Sequence, residues 1–178
     1  WSNYMNYIRD EAKADRQKAH WNNLNYWIEA LYNGEKSFTD CTKGTFRYDK
    51  NLNENMLKVA VVNIKKILGK PNSDDNVILK DSKDNKSLLL DEISIIAPKL
   101  VLCGGTYASA KEIFKIEKDE HLPCGLPYFV AEDKNYHKMF FLDFLHPSIY
   151  SIRACMLYTF ARVAFSEAKD VMSREGIV

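Results

Sequence analysis

Pro98-Lys99-Leu100-Val101-Leu102-Cys103-Gly104-Gly105-Thr106 decides the fold class of this chain. Proline stops the helical pattern before it, four consecutive apolar residues follow, and a glycine pair turns the chain towards a second helical pattern over Tyr107–Ile116. A short continuous apolar run between breakers, as opposed to an alternating one, marks a strand covered on both faces. Helix, strand, tight turn and helix in succession are the repeating unit of an α/β sheet. Thr106 stands where a helix cap belongs.

Upstream of this stretch, Ser87–Ala97 reads as a helix with Leu89, Ile93 and Ile96 on one face. Gly69–Lys86, rich in Asn, Asp, Ser and Lys, reads as a surface loop. Val59-Ala60-Val61-Val62 is a second continuous apolar run, expected to be a buried strand that ends at Asn63. Nearer the start, Trp21, Leu24, Ile28 and Leu31 recur at helical spacing before a stop at Gly34. Asn33–Asn55 is a turn-rich connection with a helical end around Asn53–Leu57, and Ser2–Lys18 is an exposed helix or arm.

Downstream, Glu117–Gly125 is a loop. Tyr128-Phe129-Val130 and Met139–Phe144 read as two strands joined by the charged turn Glu132–His137. The second runs into His146-Pro147-Ser148, after which Ile149, Ile152, Met156, Phe160 and Val163 form a helical stripe towards Arg174. This order predicts one α/β domain over residues 1–178: a mainly parallel four-stranded sheet with helices on both faces, a three-layer α/β/α sandwich. Ligands of such sheets bind outside the carboxyl ends of the strands. Attention therefore falls on Asn63, Gly104-Gly105 and His146-Pro147-Ser148.

Composition narrows the classes. The chain has 178 residues, 46% of them hydrophobic and 28% charged, which is the balance of a globular protein and not of a disordered one. No apolar run is long enough to cross a bilayer. The net charge of +1 is low for a protein that grips long stretches of duplex. Cys41, Cys103, Cys124 and Cys155 show no Cys-x-x-Cys spacing, so buried free thiols in a reducing cytoplasm are expected and a metal or iron–sulfur cofactor is not. His20, His121 and His137 have no partner at ligand spacing.

Three pieces in order, Val59-Ala60-Val61-Val62-Asn63, then Pro98 through Gly105, then Phe141-Leu142-Asp143-Phe144-Leu145-His146-Pro147-Ser148, resemble the uracil-DNA glycosylase superfamily over roughly residues 58–165. The resemblance implies a DNA glycosylase-like hydrolase that removes uracil or another altered base from single-stranded or duplex DNA by cleaving its N-glycosidic bond. It implies that His146 stabilises the departing base, that Asn63 reads it, and that Gly104, Pro147 and Ser148 line the substrate site, with no cofactor. It also implies a first strand, carrying a water-activating motif, that nothing before Val59 matches. That strand is expected upstream of Trp1.

Each candidate has a plainer reading. His146 could merely end a strand before a proline turn, Asn63 could tie down a loop, and Ser148 could cap the last helix. Gly104-Gly105 could only permit a tight turn. Lys65, Lys66 and Arg153 lie beside the motifs and could meet phosphates, or be solvated charges. Trp21, Asn22 and Asn23 open a helix expected to border the site. The alternatives to an enzyme are a non-catalytic nucleic-acid- or nucleotide-binding domain of the same fold, and an unrelated doubly wound nucleotide-binding domain.

Overall fold

The computed structural model describes residues 18–42, 58–64, 74–147, 149 and 152–178. The chain divides into two compact units, one built from residues up to Ala60 with Pro147–Ser166, the other from Val61–His146 with Glu167–Val178.

The second unit is organised on β4 (Lys138–Phe144), whose Met139, Phe140 and Leu142 are wholly buried. The other strands are β1 (Leu100–Gly104), β2 (Glu120–His121) and β3 (Pro127–Glu132), and the sheet order is β1-β4-β3-β2. β4 runs parallel to β1, from Leu100↔Phe140 to Gly104↔Phe144, and antiparallel to β3, from Tyr128↔Leu142 to Glu132↔Lys138. β2 is antiparallel to β3. The sheet is therefore four-stranded but mixed, which corrects the expectation of a mainly parallel one. The physical reason was present in the sequence: Glu132–His137 is far too short for the crossover of a dozen or more residues that a parallel pair needs. Such a turn can only close a hairpin.

Both faces of β4 are covered because its residues are apolar on both sides. Met139 and Phe141 pack with Cys103, Tyr107, Ala110, Phe129 and Ala131, so α5 (Tyr107–Phe114) lies over one face. Cross-strand partners Phe129 and Phe141 stack there at 4.6 Å, and Tyr128 stacks on Phe140 at 4.7 Å on the other. Each such ring pair contributes about 0.5–1.5 kcal/mol beyond area burial.

In the second unit, two helices precede β1 among the described residues. The first, α3 (Asp75–Asp84), falls in the stretch expected to be loop. Its polar composition suggested a loop, but Asp74 caps it by accepting the Asn76 N–H at 2.8 Å, and its outer face is simply solvated. Lys83 pairs with Glu112 of α5 at 3.4 Å. The second, α4 (Lys86–Ile96), is the expected helix: Leu89 is buried, while Ile96 is exposed. Ala97 closes it in the left-handed conformation just before Pro98.

The run Val59–Val62 is not a strand. Its residues have no regular structure, and Val61 and Val62 are 48% and 38% exposed. β-branched residues favour an extended chain, but a strand exists only where a neighbour offers its own N–H and C=O groups. β1 is the outermost strand, and among the described residues nothing pairs with its free edge.

The first unit holds α1 (Lys18–Tyr32), α2 (Phe38–Thr42) and the first part of α6 (Ala154–Arg174), whose last turns belong to the second unit. α1 buries Leu24, Trp27 and Ile28, close to the expected stripe. The buried Tyr158 donates its hydroxyl to the Lys36 carbonyl at 3.0 Å and meets the Phe38 ring. The stripe expected on α6 is displaced. Met156 and Val163 are 61% and 45% exposed, and the buried face runs through Leu157, Ala161, Ala164, Ala168 and Val171. One residue along a helix is a rotation of about 100°, and the alanines, scored as weakly apolar in a pattern, allow the closest approach of backbones. Cys155 is exposed, against the expectation of buried thiols, whereas Cys103 is buried.

The arm 2–17, the helical end 53–57, Lys65, Lys66 and Ser148 lie outside the described residues. Among the described residues no helix is long and apolar enough to cross a membrane.

Candidate functional site

β1 and β4 run side by side and end together, at Gly104 and Phe144. The chain leaves β1 through Gly105, whose φ of 70° suits glycine, and enters α5 at Tyr107. It leaves β4 through Leu145 and reaches His146, whose side chain is exposed. A Cβ on Gly105 would sit 3.8 Å from the His146 Cδ2. The structure therefore brings Gly104-Gly105 and His146 together at the carboxyl end of the parallel pair, where open α/β sheets bind ligands.

With Cys103 and Thr106 go Asp143, Tyr107 and Asp119, which the sequence reading did not single out. Cys103 on β1 is the register partner of Asp143 on β4. The Cys103 thiol is pushed up to about 12, first by burial and then by the Asp143 charge, so it is no nucleophile near neutral pH. Thr106, expected as a helix cap, makes no capping bond and instead hydrogen-bonds this thiol. Burial raises the Asp143 carboxyl above its ordinary range, and the charge of Asp119 adds to the shift. Tyr107 is 8% exposed, and its phenol is pushed up by burial and then by Asp119, Asp143 and Cys103. Asp119 is held low, chiefly by its hydrogen bond with Lys111, 3.1 Å away. A signal for this cluster was available: Asp143 interrupts an apolar strand, and a carboxylate at such a place is costly unless used.

Asn63 lines a groove of about 430 Å³ with Val61, Val62, Glu92, Ile95 and Ile96. Ile95 and Ile96 end the helix that leads into the amino end of β1.

In the first unit, Asn23 is buried and its amide donates to the carbonyls of Pro147 at 2.7 Å and Ile149 at 3.0 Å. Asn23 of α1 thus ties down the backbone carbonyls of Pro147 and Ile149. Arg153 is exposed just before α6.

Fold and geometry define a mixed α/β protein with an exposed imidazole and a polar cluster at the carboxyl ends of one parallel strand pair. No family model, no curated protein and no solved structure matches the chain.

Proposed function

We propose that this chain is a glycosylase-like hydrolase that excises a uracil or another altered base from DNA by cleaving its N-glycosidic bond, with His146 stabilising the departing base. One observation carries the reading: an exposed imidazole at the end of β4 stands against the glycine turn that ends β1. When the bond breaks, negative charge develops on the base oxygens. A pre-aimed N–H donor at that place lowers the barrier because it need not reorganise as the charge appears. Gly105 carries no side chain beside His146, where a Cβ would meet the ring Cδ2 at 3.8 Å. The order of the two motifs that do end strands, Gly104-Gly105 after β1 and His146 after β4, supports the same reading.

The test is release of free uracil from single-stranded and duplex uracil-containing DNA, by the chain and by His146→Ala. Loss of one such donor is expected to slow release by about a hundredfold or more. Equal rates in the two proteins, or no release by either from uracil or other modified bases, would sink the proposal.

A second reading, a binding domain without catalysis, is favoured by the net charge of +1. Salt-dependent binding of single strands without base release would select it.

A further inference from the structure

The face of the sheet under α5 ends in polar groups whose needs are unmet. Cys103, Tyr107, Met139 and Phe141 pack in one cluster on this face. Asp143 lies two residues beyond Phe141 on the same strand and so projects to the same side. Its carboxylate makes no hydrogen bond or ion pair among the described residues. The Tyr107 hydroxyl is buried and likewise has no partner there, although its ring is well packed on Phe129 at 5.4 Å. Buried polar groups are normally paired, and an orphan in a packed site calls for an explanation.

The charges narrow what could satisfy them. Asp119 is already matched by Lys111. That leaves one unmatched carboxylate beside one phenol, with His121 and Cys103 as the remaining titratable neighbours. An anion would be repelled, and an apolar group would leave both orphans as they are. A divalent metal needs more protein ligands than are present, since no group of three or more His, Cys, Asp or Glu converges among the described residues. A group with positive charge and several N–H donors fits both, and the Lys111 ammonium on Asp119 shows that such a group is accommodated next to this cluster. Asp143 is only half-buried, which leaves an approach from solvent.

We propose that Asp143 and Tyr107 form a binding site for a small organic cation with N–H donors, an ammonium or amidinium group, at the carboxyl end of the β1–β4 pair. The site requires neither His146 nor base cleavage, so it stands or falls apart from the glycosylase reading. A bound cation would favour the ionised Asp143 carboxylate, the form that burial and the Asp119 charge disfavour.

The experiment titrates methylguanidinium into the full chain carrying ¹³C-labelled aspartate and follows the Asp143 carboxyl resonance by NMR. Methylurea, of similar shape and uncharged, is the control. A saturable shift is expected with methylguanidinium alone. By isothermal titration calorimetry with the same cation, Asp143→Asn should show no binding, and Tyr107→Phe should bind about tenfold more weakly, the loss of one good hydrogen bond. The absence of a saturable shift, equal binding of methylurea, or unchanged affinity in Asp143→Asn overturns the proposal. Thermal unfolding of Tyr107→Phe without ligand is a second measure. An unpartnered hydroxyl predicts an unchanged or raised Tm, and a clear fall would reveal an internal partner and overturn the site.

Discussion

Asp133 shows how much one residue can organise. Its carboxylate accepts the N–H groups of Asn135 at 2.8 Å and His137 at 2.9 Å, and it meets the His137 Nδ1 at 3.3 Å, closing the β3–β4 hairpin. Burial opposes the charged form, but these N–H groups and the imidazole outweigh it and hold the carboxyl below the ordinary range. A lowered folded-state pKa stabilises above the unfolded value, and that contribution is lost as pH falls through the folded one. Urea unfolding at a series of pH values should therefore show the chain losing more stability in acid than Asp133→Asn does, the two curves converging below the ordinary carboxylate range. Parallel curves would contradict it. The turn was legible as charged and short. That Asp133 is its buried centre was not, because a side chain's burial depends on what packs over it.

At the scale of the element, caps and phases decide. α4 ends on Ala97 at φ 45°, ψ 55°, with its N–H donating to the Ile93 carbonyl at 2.8 Å. An alanine held there is strained, and glycine is not. Ala97→Gly should raise the unfolding free energy by up to about 1 kcal/mol, reduced by the greater freedom glycine has in the unfolded chain. Equilibrium urea denaturation measures it, and a destabilisation would contradict it. The same scale explains the hits and misses of pattern reading. Pro98 and Gly105 mark boundaries by covalent geometry, and both boundaries are where expected. The face that α6 buries is set by its neighbours, and small alanines carry too little pattern to announce it.

Across the molecule the sheet distributes stability unevenly. Among the described residues β4 is paired on both sides, while β1 is paired on one only and residues 59–63 belong to no strand. Native-state hydrogen exchange should place the slowest amides of the second unit at Met139–Leu142, with Val61 and Val62 exchanging orders of magnitude faster. Comparable protection at Val61, Val62 and Phe141 would show that the apolar run is paired after all.

The sequence by itself determined where most of the described strands and helices lie, and that the turn between β3 and β4 is short. Breakers, apolar runs and turn length are local quantities, and the chain carries them wherever it goes. Only the tertiary structure decided that β1 pairs in parallel with β4, that Val61 and Val62 are exposed, and that Cys103 stands opposite Asp143 in the register. Pairing and burial are properties of two segments brought together, and no single stretch of sequence contains its partner.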